Sequence, residues 1–487
     1  MIGFVPNIYA LQYLQATEQA DQSQVNKALS NMRKGYQKQL NYRRSLGSYS
    51  AFGNRDPSGS AWLTAYVIRS FAQASPFITI DTKDLDVSIN WLYNTLGQEE
   101  NGCFRSRGRV IHKEMQGGVN DEVTLTAFIV VSLLEAQQPL ETQAIQDALS
   151  CIRNSIGSLE DTYTAALIAY ALSIAKDPNV NKVLEYLESV AKNENGVRYW
   201  VSSRTQTPGS RRYNRGATAS SLSIEMTAYV LLTYINVYGH DAIARGSAIS
   251  KWIVSQQGPN GGFKSSQDTV VAIHALAEYA RLVFGGESNL GIAFSYQEPF
   301  SLNSIFIIHD GNRLVLQRAD LDQLPKAIDV IAIGEGCALL QVIIRYNVHP
   351  ALPPAPAFDI SFNVGPTTQQ LEDACQESFN LNVCVRYLGD DGFSNMAMVE
   401  VKLVTGFVPE QKSFDLLKNG FYPELTRAEQ RDKKVVLYFN EFNAKPLCFD
   451  LEVRRVHHVT DPSPVSSRFT TTTRQMSFSP PSGTWNV

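Results

Sequence analysis

The stretch Asp56-Pro57-Ser58-Gly59-Ser60-Ala61-Trp62-Leu63-Thr64-Ala65-Tyr66 decides how the first half of this chain is read. An acidic residue and turn formers lead into a Thr-Ala step inside an apolar run. That is the pattern of a helix with a capped first turn and a carboxylate near its positive end. The pattern returns at Asp121-Glu122-Val123-Thr124-Leu125-Thr126-Ala127-Phe128 and at Asp161-Thr162-Tyr163-Thr164-Ala165-Ala166-Leu167. Glu225-Met226-Thr227-Ala228-Tyr229 and Asp268-Thr269-Val270-Val271-Ala272 continue it. The intervening segments echo one another too. Trp91-Leu92 leads to Gln98 and Asn101-Gly102-Cys103-Phe104, and Trp252-Ile253 leads to Gln256-Gln257 and Asn260-Gly261-Gly262-Phe263; Gly47-Ser48-Tyr49 is a weaker copy. Each is a helix, a glycine turn and an aromatic plug. Stacked helical hairpins of this kind predict a solenoid, or one closed into an α/α toroid. Helices apolar over wide faces suit the inner wall of such a ring.

Near residue 284 the period changes from helix to strand. Ser304-Ile305-Phe306-Ile307-Ile308 and Leu314-Val315-Leu316-Gln317 flank Asp310-Gly311-Asn312, a hairpin signal, and Leu339–Tyr346 reads as a further strand. Pro350, Pro353, Pro354 and Pro356 mark a stiff linker over 350–357. Beyond it Phe358, Ile360, Phe362 and Val364 alternate, as do Phe379, Leu381, Val383, Val385 and Tyr387, and the residues from Met396 to Lys402. Pro409 to Lys418 predicts a short helix stopped by Asn419-Gly420, and Val435–Phe439 returns to strand. The expectation for 358–459 is a β-sandwich with one inserted helix. Residues 460–487, rich in Ser, Thr and Pro, read as a disordered tail. The fold class is therefore α + β and multidomain.

Composition narrows the function. The 487 residues carry 43 Lys and Arg against 47 Asp and Glu, a formal net charge of -4. That gives no electrostatic case for nucleic-acid binding. Arg33, Lys34, Lys38, Arg43 and Arg44 read as the solvated face of a helix. No apolar run approaches the ~20 residues of a membrane span. Met1–Asn7 is short, lacks a basic start and contains Pro6, so it does not read as a signal peptide. The six cysteines include no Cys-x-x-Cys pair, and neither a metal nor a cofactor is expected. An enzyme built on a helical ring would need a carboxylate cluster. Asp84-Leu85-Asp86-Val87 is half of one and reads better as a helix cap, while Gly334-Glu335-Gly336 is too short for a phosphate loop.

Four stretches carry a family resemblance: Gly-Phe-Val-Pro-Asn-Ile-Tyr at 3–9, Ala-Phe-Gly-Asn-Arg-Asp-Pro-Ser-Gly-Ser-Ala-Trp-Leu-Thr-Ala at 51–65, Val-Ile-His-Lys-Glu-Met-Gln-Gly-Gly at 110–118, and Gly-Gly-Phe-Lys-Ser-Ser-Gln-Asp-Thr-Val-Val-Ala at 261–272. They resemble the thioester domain of the α2-macroglobulin/complement family. Thr405-Gly406-Phe407-Val408-Pro409 is similar to the receptor-binding sandwich of the same proteins. The resemblance implies a thioester toroid over 1–283, the C-terminal half of a CUB domain over 284–349, and a macroglobulin-type receptor-binding β-sandwich over 358–459. The family's last strand, with its Tyr-Asp-Tyr-Tyr motif, is not found after Arg454-Arg455-Val456, so the sandwich is expected to lack it. The α2-macroglobulin or CD109-like branch fits better than the complement branch, because no netrin-like module follows.

The family's thioester motif is Gly-Cys-Gly-Glu-Gln-Asn-Met, and Met1 aligns with its final residue. The Cys and Gln that condense lie outside this sequence. By resemblance, His112 is the nucleophile that would open the thioester to an acyl-imidazole, leaving the Cys thiolate as base for an incoming hydroxyl. Glu114 is its candidate assistant. Where the family carries Asn at that place, amines react directly. The resemblance pairs Cys103 with Cys151 and Cys384 with Cys448, and leaves Cys337 and Cys375 unassigned. Lys412 and Lys418 lie near the places of two receptor-contacting lysines, but the aligned positions hold Gln411 and Asp415. The implied parent is an extracellular broad endopeptidase inhibitor, not an enzyme, that captures proteases covalently and meets a clearance receptor. The alternatives are an opsonin of innate immunity acting on microbial surfaces, and a non-covalent binding fragment.

Overall fold

The computed structural model describes residues 3–108, 122–201, 221–258, 261–284, 288–295, 304–312, 315–321, 327–336, 338, 340, 342–343, 358–366, 378–389, 394, 397–418, 422, 424–431, 433–439, 441–459 and 468–471. They fall into two compact units. One holds the helices and a three-stranded sheet. The other holds the strands from Phe358 onward.

Helices alternate between an inner and an outer layer. The inner ones are α1 (Val5–Ala16), α3 (Ala61–Ala74), α5 (Glu122–Glu135), α7 (Thr162–Ile174), α9 (Ser221–Tyr238) and α11 (Ser266–Val283). Each packs on the next, and α11 packs on α1, so the six close into a ring. The outer ones are α2 (Gln22–Leu40), α4 (Thr82–Asn90, continued by a π-helical turn to Leu96), α6 (Gln143–Ser155), α8 (Val180–Val190) and α10 (Ala242–Ser255). Burial follows from the layer. The outer α6 hides one stripe, Ile145, Ala148, Leu149, Cys151 and Ile152, whereas the inner α7 buries every residue from Thr162 to Ser173.

The repeated Thr and the aromatic plug turn out to be one device. The backbone N–H of Tyr49 donates to Thr64 Oγ1 at 2.9 Å, that of Phe104 to Thr126 at 2.9 Å, that of Trp200 to Thr227 at 3.2 Å and that of Phe263 to Thr269 at 3.0 Å. The incoming loop is thus fastened to the first turns of the inner helix that follows it. Three plugs stand two residues after a glycine in the left-handed region, Gly47, Gly102 and Gly261, with φ of +90°, +84° and +80°. A Cβ at Gly102 would come within 2.4 Å of the Asp147 carbonyl oxygen, so the turn admits no larger residue. The fourth plug arrives differently. Strands β1 (Lys192–Glu194) and β2 (Val197–Tyr199) form a hairpin whose turn residues Asn195 and Gly196 both have positive φ, 52° and 75°. Trp200 follows β2 directly.

In the same unit, β3 (Asn289–Ser295) is paired antiparallel on both sides, with β4 (Ser304–His309) and β5 (Asp329–Glu335). One face of this sheet carries Ile305, Ile307, Ile331 and Ile333, all exposed. The expected hairpin is corrected here. Asp310-Gly311-Asn312 does turn the chain, with Asn312 N donating to the His309 carbonyl at 2.9 Å, but Val315–Gln317 form no strand. β4 is an outer strand of this sheet, its described ladder partner is β3, and Leu316 is left 90% exposed. The strand expected over 339–346 is likewise absent at Leu340, Val342 and Ile343, its residues within the described set.

The second unit is a two-sheet sandwich. One sheet runs β6 (Phe358–Pro366), β7 (Ser378–Tyr387), β12 (Leu447–Arg455), β9 (Phe407–Pro409); the other runs β10 (Leu425–Arg431), β11 (Lys434–Phe439), β8 (Ala397–Lys402), β13 (Arg468–Thr471). Leu381, Val383, Val385, Phe449, Leu451 and Val453 from the first meet Val399, Val401, Val435, Leu437 and Phe439 from the second. The helix α12 (Gln411–Lys418) adds Phe414 and Leu417 to this core. Strand β13 corrects the expectation of a wholly disordered tail and an uncovered last edge. Arg468-Phe469-Thr470-Thr471 pairs antiparallel with β8, Phe469 opposite Val399. An unpaired ladder recruits whatever β-prone residues the chain offers, and Arg-Phe-Thr-Thr fills four positions.

Candidate functional site

Residues at matching depth meet between neighbouring inner helices, so the six run parallel and their N-termini share one end of the ring. Thr124 and Thr164, each the third residue of its helix, place their hydroxyls 2.8 Å apart. Ser221 at the start of α9 donates to Ser265, the cap of α11, at 2.8 Å. This end is built by capping chemistry. Ser60 accepts from Leu63 N at 3.2 Å, Asp161 accepts from Thr164 N at 3.0 Å, and Ser265 with Asp268 closes a capping box. Six aligned helix dipoles make this the positive end.

A column of polar side chains descends from that end into the ring. Near the top, Glu225 of α9 is fully buried. Its Oε1 accepts from Tyr163 OH at 2.8 Å and from Gln267 Nε2 at 3.4 Å. Its Oε2 meets no donor among the described residues. Burial, reinforced by the nearby Asp268 carboxylate, pushes Glu225 up to about 7; Tyr163, Gln267 and Arg69 act the other way.

Deeper in, Arg69 Nε donates to Glu135 Oε2 at 2.6 Å. Tyr170 OH donates to Glu135 Oε1 at 2.8 Å, and Gln73 joins the same carboxylate. Arg69 Nη2 lies 3.3 Å from His274 Nδ1 and 3.4 Å from Tyr9 OH, and the Tyr9 and His274 rings stack with centroids 4.2 Å apart. Burial, and then the Arg69 charge, hold the His274 imidazole well below its ordinary range. His274 is therefore neutral, free to accept from the guanidinium. Arg69 remains charged: desolvation opposes it, but Glu135 and the surrounding tyrosines hold its proton firmly. The upper cluster bridges α7, α9 and α11; the lower one draws on α1, α3, α5, α7 and α11.

His112 and Glu114 lie outside the described residues. The residues on either side of their segment are described. Arg107 O accepts from Ala61 N, the first residue of α3, at 2.9 Å, and Glu122 opens α5. Both therefore stand at the N-terminal end of the ring, where α1 also begins. Cys103 and Cys151 are joined by a disulfide with Cα atoms 5.3 Å apart, tying the Phe104 plug to α6. Cys384 and Cys448 are joined across β7 and β12, where they sit opposite one another with Cα atoms 4.0 Å apart. Cys337 and Cys375 lie outside the described residues. On α12, Lys412 is exposed, Lys418 is the last residue, and Gln411 Nε2 donates to Asp415 Oδ1 at 2.9 Å. No group of three His, Cys, Asp or Glu among the described residues is placed to hold a metal, and none of the described helices is long and apolar enough to cross a membrane.

Residues 1–279 match the A-macroglobulin TED domain, and residues 393–471 match the A-macroglobulin receptor binding domain. The chain belongs to the α-macroglobulin family. It is 35% identical over 471 residues to ovostatin of Gallus gallus, covering 95% of this chain and 31% of ovostatin. It thus spans about a third of the length of that α-macroglobulin. The matched receptor-binding region reaches residue 471, the end of β13, so the strand on the β8 edge falls within the family domain.

The polar column escaped the sequence reading. Arg69, Glu135 and Glu225 each stand nearly alone as charges in helices that are otherwise apolar on every side. That is the signal that could have found them, because a charge in an all-round buried helix requires a partner. Trp200 was missed as a plug because its glycine, Gly196, stands four residues ahead rather than two.

Proposed function

We propose that this chain is the C-terminal part of a secreted or cell-surface α-macroglobulin that captures proteases through a thioester carried at the N-terminal end of the helix ring. What carries the reading is the convergence at that end. The described neighbours of the segment bearing His112, Arg107 and Glu122, stand at the starts of α3 and α5. The family motif, aligned on Met1, leads into α1 at the same end. The reading takes two segments far apart in sequence to meet there, as acyl transfer from a Gln carbonyl to an imidazole requires.

In this account His112 is the acyl-transfer nucleophile and Glu114 its assistant. The exposed isoleucine face of the β3–β5 sheet supports a half CUB domain that needs a second sheet. Lys412 and Lys418 on α12 are the proposed contacts of a clearance receptor. The test uses a longer form that carries the Cys and Gln ahead of Met1. Incubation with an endopeptidase should give a protease conjugate that survives boiling in detergent and is abolished by methylamine pretreatment. A protease that is never covalently retained overturns the reading.

A further inference from the structure

Glu225 and Gln267 form half of a pairing that a single proton would complete. Gln267 Nε2 donates to Glu225 Oε1 at 3.4 Å, and Tyr163 OH donates to the same oxygen at 2.8 Å. The other two polar atoms of the pair, Glu225 Oε2 and Gln267 Oε1, are buried and meet no donor among the described residues. Both are acceptors as long as Glu225 is ionised. Two orphan acceptors in a sealed interior are a costly arrangement, and each leaves its full desolvation penalty uncompensated. We propose that Glu225 carries a proton on Oε2 through neutral pH and donates it to Gln267 Oε1, closing a cyclic acid–amide clasp between α9 and α11.

The charges facing Glu225 favour this state. From α11, Asp268 presents a second carboxylate, engaged with Ser265 N through Oδ1 at 2.8 Å. From α7, Asp161 at the cap presents a third, and Tyr163 is neutral, its hydroxyl held well above its ordinary range by burial and by Glu225 itself. On α9, Tyr229 is neutral for the same reasons. From α3, Tyr66 is neutral, and Arg69 is the one opposing charge among these described groups, its Nε engaged by Glu135. On α10, Arg245 sits over the Tyr238 ring, 4.4 Å from its centroid, and Lys251 is exposed. Burial then pushes the Glu225 carboxyl up to about 7 against an ordinary 4.5, which agrees with the geometry.

The clasp makes the N-terminal end of the ring acid-tightened. A carboxyl whose folded pKa is raised contributes most below its unfolded pKa and loses that contribution as pH rises through the folded value. Glu225→Gln replaces the proton-bearing oxygen with a permanent donor of the same shape. Hydrogen exchange at the amides of α9 and α11 would be followed in the full chain and in the variant. Protection of the wild-type protein relative to the variant should fall by about a hundredfold between about pH 5 and about pH 9. Infrared difference spectra provide a reading that does not depend on how the variant folds. At neutral pH the wild-type chain should show the carbonyl stretch of a protonated, buried carboxylic acid that bleaches on alkalinisation. A ratio of protection that stays flat with pH, or a Glu225 signal that is carboxylate at pH 6, overturns the proposal.

Discussion

Arg69 and Glu135 meet across the middle of the helix ring, Nε to Oε2 at 2.6 Å, with side chains only 2% and 9% exposed. A buried ion pair adds modest net stability, but removing one partner strands the other. Arg69→Met should therefore destabilise the helical unit by about 3–5 kcal/mol, whereas the double change Arg69→Met with Glu135→Gln should lose less than the sum of the two single changes. Urea unfolding of the four proteins in the cycle measures the difference.

The plug fastening makes a narrower claim. Thr126→Val keeps the volume and the β-branch but deprives the buried Phe104 N–H of its acceptor. A loss of about 1–3 kcal/mol is expected.

How far the sequence speaks follows from these two cases. The ring was legible because its repeat is local: an acid, a Thr-Ala step, a glycine turn and an aromatic recur, and the hydrogen bond from plug to threonine explains why they travel together. The sandwich was legible wherever one face is buried, since Leu381, Val383 and Val385 must alternate with outward residues. The polar column was not, because Arg69 and Glu135 stand 66 positions apart and nothing local announces their meeting. The strand at Arg468–Thr471 was hidden for another reason. Ser, Thr and Pro dominate its surroundings, and only the open edge of β8 gives those four residues a structure.

The Cys384–Cys448 disulfide closes a loop with a sequence separation of 64, and Cys103–Cys151 one of 48. In the chain-entropy account each contributes about 4 kcal/mol by restricting the unfolded chain. Cys384→Ala with Cys448→Ala should lower the urea midpoint of the sandwich transition and leave the helical transition in place. Cys103→Ala with Cys151→Ala should do the reverse. Transitions followed by separate probes for the two units distinguish the outcomes.

His274 sets an acid limit on the ring. Its imidazole is held neutral in the folded state, well below the 6.5 at which it titrates when unfolded. A base with a depressed folded pKa withdraws stability as pH falls through its unfolded value. Below about pH 6.5 the wild-type chain should thus lose helical stability that His274→Gln does not lose. Denaturation at about pH 5 and about pH 7.5 in both proteins would reveal it as a difference in slope.

The most direct test of the thioester account compares His112 with His112→Asn in a longer form bearing the Cys and Gln ahead of Met1. Both proteins would be activated by a protease in the presence of labelled glycerol or labelled methylamine, and the incorporated label counted. With His112 as the acyl-transfer nucleophile, the wild-type protein should favour the hydroxyl compound and the Asn variant should shift strongly toward the amine. Equal hydroxyl-to-amine ratios in the two proteins would contradict the assignment.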